Sequence, residues 1–457
     1  MSDDFPPIAP PAGSAMWRPG FVFGAATAAY QIEGAAHEDG RAPSIWDTFC
    51  ATPGKVHLGD NGDVACDHYH RHAADVALLA DIGFDAYRFS IAWPRVMNAG
   101  GRLNPRGIDF YRRLLDSLDE RGVRAWATLY HWDLPQSLQD RGGWLNRETA
   151  YRFAEYAEAI SRVFAGRVAG WMTLNEPWCS AYLGHAEGRH APGLADTRYG
   201  VEAMHHLLLA HGLGTIAIRA NDSAPVGLVC NVNAVTPAST DAADRAAAER
   251  AAASANHWVL DPLFLGRYPA LLAELWPAAS APVRAGDMDA IGVPMDFLGL
   301  NYYFRQVVAD DGAHGFVVRP LPDVERTQMG WEVYPDGLCD LLIEFRQRYP
   351  KLPPIYITEN GMASADVVRD ARVRDPQRAR YFNSHLAAVD RAMRQGVDVR
   401  GYFAWSLLDN FEWSYGYEKR FGIVHTDYET LARTPKDSAL AWRALLAQRA
   451  TGSGRPA

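Results

Sequence analysis

Ile355-Tyr356-Ile357-Thr358-Glu359-Asn360-Gly361 is an apolar run that ends abruptly in a carboxylate followed by Asn-Gly. A lone Glu in a strand ordinarily faces water, but this one stands where alternation gives way to turn chemistry. Trp171-Met172-Thr173-Leu174-Asn175-Glu176-Pro177 has the same shape, and Pro177 stops it from continuing as an interior strand. Two glutamates at two strand ends, far apart in the chain, predict paired carboxylates facing one another across a site. Such a pair needs a fold that gathers strand ends at one face.

Working outward from these two stretches, eight segments read as strands: 21–30, 86–93, 124–131, 170–177, 226–233, 297–304, 354–361 and 401–407. Amphipathic helical segments lie between them. Asn104 with Pro105 opens one, in which Ile108, Tyr111, Leu115 and Leu118 recur until Gly122. Asn146 opens another, carrying Phe153, Tyr156, Ile160 and Phe164. A third follows Asp336 with Leu338, Leu341, Leu342 and Phe345, and the Ala-rich segment 242–255 is helical by propensity. These stripes are core packing and set the fold, not the chemistry. Strands alternating with helices imply parallel βαβ units, and eight of them imply an α/β fold, a single (β/α)8 TIM barrel with extended βα loops. The barrel domain spans 17–450, with flexible tails expected at 1–16 and 451–457. A β-hairpin is expected within 307–318, around Asp311-Gly312.

Of the 457 residues, 48% are hydrophobic and 22% charged, enough for one large core. The formal net charge of −9, with no basic run, argues against nucleic acid or an anionic membrane as partner. The five cysteines are odd in number and never in CxxC spacing, which fits reduced thiols in a cytoplasm. Neither a signal peptide nor a membrane span is visible. A homo-oligomer is left open.

In a barrel of this kind the C-terminal strand ends face the active site. They carry Gln31 and Glu33, Arg88, His131-Trp132, Asn175-Glu176, Asn301-Tyr302-Tyr303, Glu359, and then Trp405, Glu412 and Trp413. Two carboxylates, hydroxyl-reading amides and flat aromatics are what hydrolysis of a neutral sugar requires. His131-Trp132-Asp133 looks like the His-x-Asp pair of metal-dependent barrels, but no other strand end adds His or Cys, so neither metal nor cofactor is expected. His68, His70 and His72 are read as a solvated helix end, and His205, His206 and His211 as packing or surface residues.

The chain closely resembles glycoside hydrolase family 1, the β-glucosidase family, from Trp17 to Leu446. The resemblance rests on Phe21-Val22-Phe23-Gly24-Ala25 through Tyr30-Gln31-Ile32-Glu33-Gly34-Ala35, on Tyr87-Arg88-Phe89-Ser90-Ile91-Ala92-Trp93-Pro94, on Thr173-Leu174-Asn175-Glu176-Pro177, on Ile357-Thr358-Glu359-Asn360-Gly361 and on Asn410-Phe411-Glu412-Trp413. It implies a retaining exo-β-glycosidase whose partner is a small β-glycoside. Glu359 would be the nucleophile, and Glu176 the general acid that later becomes the base. Gln31, His131, Trp132, Asn175, Asn301, Tyr303, Glu412, Trp413 and Phe421 would form the sugar site, with Asn175 on the 2-hydroxyl. Trp405 would be the floor under the sugar and Trp331 a platform for the leaving group. Arg88 and the Tyr303 hydroxyl would hold Glu359 ionised, while burial near Trp178 and the charge of Glu359 would keep Glu176 protonated. Two rival readings stand beside this one, a 6-phospho-β-glycosidase and a noncatalytic carbohydrate-binding relative. Glu412 would repel a 6-phosphate, and the presence of both glutamates speaks against the second rival.

Overall fold

A computed structural model describes residues 5–98, 100–313 and 315–451. Eight parallel strands close on themselves: β1 (Val22–Ala26), β2 (Ala86–Ser90), β3 (Arg124–Tyr130), β4 (Gly170–Asn175), β5 (Val226–Pro237), β6 (Phe297–Ala309), β7 (Ile355–Asn360) and β8 (Val399–Trp405). Each pairs with the next, and β8 returns to β1 through Val22 opposite Gly401 and Ala26 opposite Trp405. The chain is therefore the expected (β/α)8 TIM barrel.

Period-2 alternation sorts the strand side chains into two cores. Inward residues Trp126, Phe297, Tyr356 and Phe403 meet at ring-centroid distances of 4.7–5.7 Å and fill the barrel, with Val22, Ala86, Met172 and Val229 around them. Outward residues such as Ile355, Ile357, Leu298 and Leu300 pack against the helices. The lumen is thus solid, and a site can form only at its mouth.

The helices fall where their periodicity puts them, at Pro105–Glu120, Glu148–Val163, Pro335–Arg348 and Ala242–Ala252. The hairpin forms too: β6 runs past the barrel mouth and pairs antiparallel with Val317–Val318.

Three expectations need correction. The first strand stops at Ala26 and a short helix, Ala29–Ile32, follows, so Gln31 sits on a helical turn. The stretch expected as a loose tail over 1–16 is packed in its described part: Ile8, Ser14 and Met16 are buried, and the Ala9 N–H donates to Asn383 Oδ1 at 3.1 Å. Residues 1–4, and 452–457 of the second tail, lie outside the described residues. His68 is buried rather than solvated, with its Nδ1 2.8 Å from Asp75 Oδ2, a carboxylate that Arg433 also holds. His205, His206 and His211 are buried packing residues. All five cysteines are free and buried. Among the described residues no helix is long and apolar enough to cross a membrane.

Candidate active site

The two glutamates reach the mouth by the same backbone device. Along β7, Leu300 pairs with Ile357 but Asn301 pairs with Glu359, so β7 carries one extra residue before its carboxylate. Along β4, Met172 faces Gly227 while Asn175 faces Val229, again one residue more than its neighbour. A bulge of this kind re-aims the side chains that follow it. Glu176 then adopts a left-handed backbone with φ 48°, and Trp132 and Trp413 share that uncommon region at φ 78° and 53°. Non-glycine residues in this region concentrate at functional sites, where surrounding contacts hold them. The Trp132 indole N–H donates 2.9 Å to the Asn175 carbonyl and pins the end of β4.

Both carboxyls are buried, Glu359 3% and Glu176 6% exposed, yet their donors differ. Glu359 Oε1 accepts from the Arg88 guanidinium at 2.6 Å, and Oε2 accepts from the Tyr303 hydroxyl at 2.6 Å. Glu176 Oε1 accepts from Asn301 Nδ2 at 2.7 Å, and Oε2 lies 3.0 Å from Cys179 Sγ. Burial lifts Glu359 above the ordinary carboxylate range, and Arg88, Tyr303 and Asn301 oppose that lift. Burial and the neighbouring Glu359 push Glu176 up to about 7, with the amide and the thiol only partly offsetting them. A guanidinium and a phenol stabilise an anion more than an amide and a thiol do. When the pair shares one proton, it resides on Glu176.

Arg88 organises the floor of the site. Besides Glu359 it donates to the Thr358 carbonyl at 3.0 Å and to Asn175 Oδ1 at 2.6 Å. Because Asn175 Oδ1 is taken by a pure donor, its Nδ2 faces His131 Nε2 at 3.0 Å. That ring nitrogen must accept, which leaves the proton on Nδ1. Burial, and then Arg88, keep His131 well below its usual range and hence neutral.

A pocket of about 350 Å³ opens over the two carboxyls. His131, Trp132, Asn301, Tyr303, Trp331, Trp405, Glu412, Trp413 and Phe421 line it with Glu176 and Glu359. Trp331 stacks on Phe304 at 4.9 Å. Trp413 packs on Trp132 and Trp46 at 4.5 and 4.6 Å while still facing the pocket, so packing and lining coexist there. Arg88, Asn175 and Gln31 are buried next to these lining residues. Gln31 Nε2 donates to Asn410 Oδ1 at 3.0 Å and the Phe411 carbonyl at 2.8 Å, leaving its buried Oε1 without a partner among the described residues. Burial, then the charges of Glu359 and Glu176, push Glu412 up to about 8. Trp178 is half-buried on the wall, its indole N–H on the Ser254 carbonyl. Glu33 is elsewhere, buried against Arg95 and Tyr111.

Further lining residues are not expected from the sequence, among them the polar Cys179, Asn231, Asn233 and Gln306. The two asparagines end the predicted fifth strand, and reading its end as the others were read would have found them. Gln306 lies on the part of β6 beyond the barrel, which no signal distinguishes from an ordinary loop. Cys179 is three residues after Glu176, on a helical turn that the strand pattern does not show.

A family model described as Glycosyl hydrolase family 1 matches residues 14–451. The chain is 46% identical over 432 residues to the beta-glucosidase of an Agrobacterium species, covering 93% of this chain and 94% of that one. It is 48% identical over 443 residues to thermostable beta-glucosidase B of Thermobispora bispora, covering 94% and 91%. Among solved structures, the family 1 β-glucosidase from Thermotoga maritima superposes with a TM-score of 0.93 at 43% identity, covering 96% of this chain and 99% of the other.

Proposed function

The chain belongs to glycosyl hydrolase family 1, and from that membership we propose that it is a retaining exo-β-glucosidase. Its substrates are cello-oligosaccharides and aryl or alkyl β-glucosides, from which it removes the terminal nonreducing β-D-glucosyl residue. The observation that carries this reading is the unequal surrounding of two equally buried carboxyls.

In the first step Glu359 attacks the anomeric carbon while Glu176 passes its proton to the departing glycosidic oxygen. The covalent ester formed removes the charge of Glu359. That charge is one cause of the raised Glu176 titration, so its loss lets Glu176 ionise and take a proton from the incoming water. Asn301 supports a short gap between the carboxyls, because its amide reaches Glu176 and also holds Glu359 down. A retaining site requires about 5–5.5 Å between them.

Recognition falls to His131, Asn175, Glu412, Trp413 and Gln31, with Asn175 on the 2-hydroxyl. Gln31 Oε1, which has no partner among the described residues, is an acceptor for a sugar hydroxyl. Trp405 is the floor, within 6.0 Å of the His131 ring and near-parallel to it, and Trp331 carries the leaving group. Glu412 disfavours a 6-phosphosugar, since a phosphate beside it would enter the same buried, negative field of Glu359 and Glu176 that raises the Glu412 titration. The five free, buried thiols support a reducing compartment, the cytoplasm. A panel of nitrophenyl β-glycosides together with cellobiose tests the reading. It requires nitrophenol from the β-glucoside and glucose from cellobiose. Turnover of 6-phosphoglucosides alone, or of nothing in the panel, contradicts it.

A further inference from the structure

Each oxygen of the Glu176 carboxyl has one donor among the described residues, and one of the two donors is a thiol. The Asn301 amide has a fixed sense. Its Oδ1 accepts the Thr358 hydroxyl at 2.7 Å, so its Nδ2 is what meets Glu176 Oε1. An N–H aimed at Oε1 leaves Oε2 as the oxygen that carries the acid proton, and Oε2 is the one 3.0 Å from Cys179 Sγ.

The backbone fixes that contact. After the left-handed turn at Glu176, the Cys179 N–H returns to the Glu176 carbonyl at 2.9 Å, and the π-helix Cys179–Ala186 starts there. A π-helical stretch is rare and recurs at functional sites. The thiol is buried in the pocket wall, and burial with the charge of Glu176 pushes its titration well above the usual thiol range. It is therefore an S–H group and not a thiolate.

We propose that Cys179 is a positioning residue for the proton-transferring carboxyl, a weak donor to Oε2 that holds Glu176 in place through both halves of the catalytic cycle. This rests on the acid/base role given above to Glu176. A thiol is a poor donor and a poor acceptor. A hydroxyl in its place would bind the carboxylate form more firmly and make Glu176 a weaker base. An apolar group would leave Oε2 undirected and favour the protonated form. The thiol falls between these, as suits a group that must be acid in one step and base in the next.

The other groups facing Glu176 come from different elements: Glu359 on β7, Arg88 on β2, Tyr303 on β6, Cys230 on β5 and Glu412 after β8, while Arg189 faces the thiol itself. None of them changes in a substitution at position 179. Cys179→Ser and Cys179→Ala should therefore move the Glu176 titration in opposite directions.

The measurement is the pH profile of kcat/KM on an alkyl β-glucoside, whose poor leaving group needs the proton. Donation to the carboxylate lowers the pKa of an acid, so its removal raises it. In Cys179→Ala the alkaline limb should move up by roughly half a unit to one unit, and in Cys179→Ser down by a comparable amount. Should the alanine variant not fold, the downward shift of the near-isosteric serine variant still decides. Limbs that stay in place, or that move the same way in both variants, overturn the proposal and leave Cys179 a packing residue. The wild-type protein supplies the control. If Glu176 is the acid, the alkaline limb weakens on a dinitrophenyl β-glucoside, which leaves without protonation. An equally strong limb on both substrates overturns the acid assignment, and this inference with it.

Discussion

The mouth of β7 and the mouth of β4 present the same side chain, at nearly the same burial, behind the same one-residue bulge. They differ in what reaches the carboxyl. At β7 a guanidinium and a phenol donate to Glu359, and at β4 an amide and a thiol approach Glu176. Burial raises both titrations, so burial does not assign the roles. The donors do. One low-dielectric pocket can hold an anion and an acid side by side because four neighbouring side chains break its symmetry.

The largest break in that comparison is Glu359→Ala, which removes the attacking group. Turnover of every substrate should fall by about 10⁴-fold or more, read as glucose release. Glu176→Ala should behave unequally. Cleavage of cellobiose and alkyl glucosides should drop by roughly 10²–10⁴-fold, and the first step on dinitrophenyl glucoside, followed as a burst, should be nearly spared. Equal losses on both substrates would remove the asymmetry.

Glu359→Gln keeps the shape and deletes the charge. Since that charge raises Glu176, its removal should lower the Glu176 titration by about one unit or more from its position near 7, followed by carbon NMR of the labelled carboxyl. An unchanged value would mean that burial alone sets it. Smallest is Tyr303→Phe, which takes one donor from Glu359. Its titration should rise, moving the acid limb of kcat/KM up by about one unit, with a rate loss of roughly tenfold at neutral pH.

The sequence made the barrel legible because its strands are long apolar runs and its helices keep a clean 3.6-residue period. Both glutamates were legible because each closes such a run next to turn chemistry. The bulges were not. Reading side chains by strict alternation assumes one residue per partner, and the extra residue in β4 and in β7 shows only in the pairing with the neighbouring strand. His68 failed for a related reason. Its helical neighbours say solvent, but Asp75, which pairs with its ring, is itself held by Arg433 from far along the chain. The packed segment from Ile8 onward is the same kind of case, since a Pro/Ala-rich stretch carries no sign of the surface that receives it.

The account stands on Glu359 and Glu176 acting in sequence on one face of the sugar. Proton NMR of the sugar first released from an aryl β-glucoside, recorded before mutarotation, tests this directly. Two displacements at the anomeric carbon predict the β-anomer first, with the α-anomer growing in only later. An α-anomer that appears first would mean a single displacement by water, and Glu359 would not be a nucleophile.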